Sequence, residues 1–131
     1  FIGHSHVGSW TNLAAGTVTG NLKVSYGTIR LQTSDATIDS GRQFLGSLIG
    51  DCVKTAVNTS LPCGARIGSV ATVGGATGHT VPIFHNQLIG GEEGSTTSVS
   101  QASITLERMM ARRGLSLLSA DKELLEALGP N

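Results

Sequence analysis

The chain has 131 residues, about one domain, and a domain of that size buries roughly two-thirds of the surface its unfolded chain exposes. Its 18 glycines accompany only three Phe, one Tyr and one Trp, so Val, Ile, Leu and Ala must fill the core and large aromatic clusters are excluded. Nine basic residues balance nine acidic ones, which argues against a nucleic-acid partner held by many phosphate contacts.

The apolar stretches fall far short of the roughly 20 residues of a bilayer span, and no charged region followed by an apolar run marks a signal peptide. The expectation is a soluble, cytoplasmic protein with no membrane partner. Cys52 and Cys63 form no secreted framework and read as free buried thiols. The chain opens at Phe1 inside a repeat, as a piece of a longer protein would.

From the start, Phe1, Val7 and Leu13 recur at six-residue spacing. Residues 22–44 break the period: alternating Val24, Tyr26, Ile29 and Leu31, then the polar run TSDATIDSGRQ, predict a loop extruded from the scaffold. The period returns in the blocks IGDCVK, TAVNTS, LPCGAR, IGSVAT and VGGATG, headed by Ile49, Thr55, Leu61, Ile67 and Val73. Each block predicts a short strand and a turn, and three blocks complete a triangular coil whose head residues point inward and stack on those of neighbouring coils. Glycines after the heads, as in Ile2-Gly3, Val7-Gly8, Ile49-Gly50, Ile67-Gly68 and Val73-Gly74, are read as corner residues. The fold class is an all-β solenoid over 1–89 with a short C-terminal α-helical tail over 90–131. Helical periodicity and Asn-Gly hairpins are both missing before residue 90.

The run Gly90 to Thr96 reads as a linker. A helix follows, with Thr97 or Ser98 as its cap, an apolar stripe through Val99, Ala102, Leu106, Met109 and Arg113, and Arg112 and Arg113 before Gly114. A second helix after Ser119 places Leu124, Leu125 and Leu128 on its apolar side. The two helices are expected to cap the last coil or to pack on a neighbouring subunit.

Three stretches narrow the assignment. FIGHSHVGSWTNLAAGTVTGNLK resembles the opening of glucosamine-1-phosphate N-acetyltransferase domains, in which an aromatic-Ile/Leu-Gly-Asp start leads to a Gly-Ala-Gly-Thr turn and then an Asn. DSGRQFLGSLIGDCVKTAVNTSLPCGARIG is similar to a second signature of the prokaryotic versions, and VPIF with MMARRG resembles a bacterial subgroup. The resemblance implies a left-handed parallel β-helix of hexapeptide repeats, assembled as a homotrimer. It also implies transfer of an acetyl group from acetyl-CoA to an amino-sugar 1-phosphate, usually beside a nucleotidyltransferase domain, to which alone Mg2+ would belong.

Acetyl transfer to an amine needs a base, a donor near the developing oxyanion and a groove for the pantetheine arm. The family's base is a His three positions before the aromatic at Phe1, outside this sequence. That aromatic is usually Tyr, so Phe1 keeps the ring without the hydroxyl. By the same resemblance Asn21 is the active-site Asn that orients the sugar or the acyl group, although an Asn also suits a sharp turn. Ala15, Val57 and Gly75 are the backbone positions lining the CoA arm. The substrate phosphate falls to Arg30 and the nearby Lys23, while Gly27 occupies a position where relatives carry a lysine.

Two other readings carry different chemistry. A non-catalytic β-helix that trimerises or regulates an attached nucleotidyltransferase accords with Phe1 and Gly27. His4 and His6, with His79 or His85, raise a zinc site like that of the carbonic anhydrases sharing this solenoid, but no acidic partner supports a metal site and none is assigned. Cys52 has no triad to make it reactive.

Overall fold

The computed structural model describes residues 1–88 and 93–130. Its short strands are β1 (His6–Val7), β2 (Val18–Thr19), β3 (Arg30–Gln32), β4 (Thr37–Asp39), β5 (Leu48–Ile49), β6 (Lys54–Thr55), β7 (Ser60–Leu61), β8 (Arg66–Ile67), β9 (Thr72–Val73), β10 (Thr80–Val81), β11 (His85–Asn86) and β12 (Ser95–Thr96). Two helices follow, α1 (Val99–Ala111) and α2 (Ser119–Leu128).

The strands stack in three parallel sets. The first face runs β1-β5-β8-β10 and the second joins Asn12, β6, β9 and β11. The third joins β2, β7 and Ala76. Leu48 pairs with Arg66 and Lys54 with Thr72, so one circuit takes eighteen residues, three blocks of six. His6 pairs with Leu48 across forty-two residues, twenty-four more than one circuit, which places the 22–44 loop between two rungs as an insertion. These stacked parallel sheets are compatible with a β-helix.

The block heads Ile49, Thr55, Leu61, Ile67 and Val73 are buried, and Val53, Ala65 and Ala71 fill the space between them. In the first coil Val7 is 41% exposed and Phe1 70%. Threonine can head a block because its hydroxyl is answered inside: Thr55 Oγ1 accepts from Ala14 N at 2.8 Å and lies 2.7 Å from Thr17 Oγ1.

The corners are made differently from the sequence expectation. Gly3, Gly8, Gly50, Gly68 and Gly74 do not take the left-handed backbone; that falls on His4, Trp10, Gly16, Cys52, Asn58, Gly64 and Val70, again mostly six residues apart. The glycines after the heads are needed for stacking. A Cβ on Gly50 would sit 2.7 Å from Ser69 N, and one on Gly8 2.6 Å from Asp51 N.

Trp10, Cys52, Val70 and Phe84, with φ of 54°, 59°, 66° and 56°, form one column along the edge between the first and second faces. A left-handed β-branched residue such as Val70 is sterically disfavoured, and it is compensated here by burial. Helix α1 lies on this column: Ala102, Leu106 and Met110 pack with Cys52, Val70, Phe84 and Leu125, with Trp10 alongside. The helices therefore cover an edge of their own chain. Of the two expected caps Ser98 is used, its side chain accepting from Gln101 N. The buried stripe ends on Met110, while Met109 is half-buried and Arg113 exposed. On α2 only Leu125 is buried; Leu124 and Leu128 are 56% and 40% exposed. Ser95–Thr96, read as linker, instead pairs antiparallel with β11, and residues 90–92 of that linker lie outside the described residues.

Phe84 is 1% exposed at the centre of the helix-bearing edge. Phe84→Ala is expected to cost about 3–5 kcal/mol in urea unfolding, whereas Leu124→Ala on the open side of α2 should change stability by under about 0.5 kcal/mol.

Candidate functional site

The edge between the third and first faces carries the inserted loop. Its neck is an antiparallel bridge between Leu22 and Phe44, reinforced by Leu45 N donating to Asn21 O at 3.0 Å. Beyond the neck, β3 and β4 pair as a hairpin, Arg30 opposite Asp39. The hairpin folds back on the coils: Ile29 is fully buried, and Arg66 Nη1 donates to Gln32 O at 2.7 Å. Val24 and Tyr26, within the expected extruded loop, are exposed.

Between this hairpin and the coils lies a cavity of about 540 Å3 lined by Lys23, Arg30, Gln32, Cys63 and His79. Two cations and an imidazole thus converge on it. Lys23 Nζ donates to Thr28 O at 2.7 Å, which steadies the ammonium without neutralising it. Asp39 is the nearby counter-charge. Its carboxyl is held below the usual range first by Gly41 N–H, then by the Thr28 hydroxyl, with Arg30 and Lys23 adding to the effect. Gly27 is exposed and brings no charge.

Asn21 stands at the same edge. Its Nδ2 lies 3.0 Å from His4 Nδ1, and the His4 ring is 5.3 Å from the Phe44 ring. A Cβ on Gly3 would come within 2.5 Å of Phe1 Cζ and 2.7 Å of Asn21 Nδ2, so Gly3 is what lets the Phe1 ring and the Asn21 amide approach. Phe1 is held as a partial rung, its backbone nitrogen donating to Thr17 O and its carbonyl accepting from Thr19 N.

Ala15, Val57 and Gly75 align on a different edge, between the second and third faces. Asn58 N donates to Ala15 O at 2.9 Å and Ser60 N to Gly75 O at 2.8 Å, tying neighbouring rungs together. Val57 on this edge is 65% exposed and Gly75 is exposed. The structure therefore groups Phe1 with Asn21, and Lys23 with Arg30, at one edge, and sets Ala15, Val57 and Gly75 at the far side of the third face.

The histidines disperse. His6 lines a groove on the first face, His79 lines the cation cavity and His85 sits in β11, while His4 faces Asn21. Among the described residues no three His, Cys, Asp or Glu gather as a metal site. Sequence reasoning gave Cys63 no part in this site. Its register, forty-two residues after Asn21, is the signal that places it there: the paired rungs differ by the same interval.

No family model matches the chain. Over 74 residues it is 35% identical to the Bifunctional protein GlmU of Methanococcus vannielii, and over 73 residues 32% identical to the Bifunctional sugar-1-phosphate nucleotidylyltransferase/acetyltransferase of Sulfurisphaera tokodaii. A further Bifunctional protein GlmU, from Methanococcus maripaludis, is 34% identical over 74 residues. Each match covers 56% of this chain and 18% of the relative, so the chain spans under a fifth of the length of the curated relatives it matches. The matched stretch lies in their C-terminal part, in agreement with the resemblance read from the motifs.

The two thiols differ in environment. Cys52 is buried beneath α1, and burial pushes its thiol up, whereas Cys63 is half-buried at the cavity wall. In the native protein iodoacetamide should label Cys63 and spare Cys52, with Cys52 reacting only after unfolding, as read by peptide mass spectrometry. Asp39, with its folded pKa depressed, contributes stability that is present above the ordinary value of about 3.9 and lost as pH falls through the folded value. The Gly41 amide resonance should accordingly titrate with a midpoint below about 3.9.

Proposed function

We propose that this relative of bifunctional sugar-1-phosphate nucleotidylyltransferase/acetyltransferase proteins is a left-handed parallel β-helix that works as the acetyl-CoA-dependent N-acetyltransferase part, on an amino-sugar 1-phosphate of the glucosamine 1-phosphate type. The observation that carries the reading is the convergence of Lys23 and Arg30 on a roofed cavity at the edge that also presents Asn21.

The roles follow from the chemistry. The substrate phosphate accepts charge-assisted hydrogen bonds from Arg30 and Lys23, which anchors the sugar. The Asn21 amide orients the sugar amine or the acyl carbonyl, and the Phe1 ring packs against it. The amine nitrogen attacks the thioester carbonyl, the carbon–sulfur bond breaks, and CoA leaves as the thiol after the amine proton passes to a base. That base is the histidine the resemblance implies three positions before Phe1. Exposed backbone at Ala15, Val57 and Gly75 forms the wall for the CoA arm. Mg2+ belongs to a nucleotidyltransferase part.

Because the CoA wall and the sugar-phosphate edge lie on different edges of one chain, a complete site needs a second copy, which supports a homotrimer. Val18 and Val57, 41% and 65% exposed on and beside the third face, supply apolar surface for it. Among the described residues no helix is long and apolar enough to cross a membrane, which accords with the proposed cytoplasmic setting.

A non-catalytic role in trimerising or regulating a nucleotidyltransferase is the second reading, favoured by the ring-only Phe1 and the uncharged, exposed Gly27. Protein carrying the residues upstream of Phe1 should consume acetyl-CoA when given glucosamine 1-phosphate. Arg30→Gln should raise KM about 10- to 100-fold with a smaller change in kcat, as loss of a charge-assisted bond worth ~1.5–3 kcal/mol requires. Turnover with no amino-sugar phosphate would overturn the catalytic reading, and absence of CoA binding by calorimetry would favour the second.

A further inference from the structure

A second cavity lies between the second face and helix α1, on the edge away from the inserted loop. It measures about 260 Å3; Val70 and Ala102 form its apolar wall, and Lys54, Thr72, Asn86, Thr97, Gln101 and Thr105 bring polar groups to it. No carboxylate lines it among the described residues.

Its hydrogen-bond donors outnumber what the chain offers them. Lys54 is half-buried and donates one of its ammonium hydrogens to Cys52 O at 2.8 Å. Asn86 uses Oδ1 to accept from Leu88 N at 3.1 Å, and its Nδ2 has no partner among the described residues. Thr97 Oγ1 is buried with no partner among the described residues. Helix α1 begins beside the cavity with Ser98 capping one amide but with no acidic residue in its first turn, so the helix supplies no carboxylate to the positive end of its dipole. Burial pulls the Lys54 pKa down, the cost of desolvating an ammonium that meets no carboxylate among the described residues lining the cavity.

A ligand that only accepts hydrogen bonds and carries negative charge answers all of these groups together, and the space suits a group of a few heavy atoms. We propose that this cavity binds a small oxyanion of the phosphate or carboxylate class on Lys54, Asn86 and Thr97, and that the bound anion clamps helix α1 to the second face. The site is independent of the Lys23 and Arg30 cavity, which lies on another edge and is built from other elements.

The test is thermal unfolding of the Lys23→Gln/Arg30→Gln protein titrated with sodium phosphate and, separately, sodium acetate, at fixed ionic strength against chloride. That background removes the other cationic cavity. A saturable rise of ~3 °C at ten times the half-saturating concentration is expected, from phosphate if the group is a phosphate and from acetate if it is a carboxylate. The Asn86 side-chain amide resonances should shift over the same range. Adding Lys54→Met should abolish the response. Adding Asn86→Asp, which keeps Lys54 and supplies an internal carboxylate, should raise the unfolding temperature without anion and remove the anion response. No saturable rise with either anion overturns the proposal, as does a response that survives Lys54→Met or is undiminished in Asn86→Asp.

Discussion

Every other feature of this molecule depends on the backbone register that lays each rung beside the next, eighteen residues on in the middle circuit and fourteen in the last. The strands are mostly two residues long, and a strand of that length has no standing alone. It persists because its amides and carbonyls are answered by the rung above and the rung below, as when Leu48 N donates to Ala65 O and Gly50 N to Ile67 O. The register also makes side chains cumulative. A residue at one edge recurs, a circuit later, at the same edge, so a column of like environments is built from positions far apart in sequence.

The three columns have diverged into three uses. One carries Trp10, Cys52, Val70 and Phe84 outward and is sealed by α1 and α2. One carries the inserted hairpin and gathers Asn21, Lys23, Arg30, Cys63 and His79. The third, along Ala15, Val57 and Gly75, leaves these residues exposed. Left-handed backbone at the sealed corner is tolerable for residues as bulky as Val70 and Phe84 because the same conformation directs their side chains into the helix interface, where burial offsets a cost of about 1–2 kcal/mol per residue.

The interior shows a parallel gradation. The interior is aliphatic at Ile49, Leu61, Ile67 and Val73, while Thr17 and Thr19 of the first coil and Thr55 and Thr59 of the next bring hydroxyls inward. Thr19 Oγ1 accepts from Gly3 N at 3.0 Å and Thr17 meets Thr55. Hydroxyls there satisfy backbone amides that aliphatic side chains would leave orphaned.

The sequence by itself determined the period, the inward residues of the blocks from Ile49 to Val73, the insertion at 22–44 and the existence of both helices, because each is a repeating or composition-level pattern that survives without knowledge of neighbours. It named Asn21, Lys23 and Arg30, which the fold gathers at one edge. Tertiary structure alone decided which small residues turn corners and which make room for the next rung, since Gly50 and Ser69 become neighbours only after a full circuit. It decided that the helices run along an edge of their own chain, shifting the buried stripe to Met110, because a helix face is chosen by the column it covers. It also placed Cys63 and His79 beside the cations and Lys54 beneath α1. Such positions follow from which edge a residue occupies, and that is set by the register between rungs and by the loop folded back upon them.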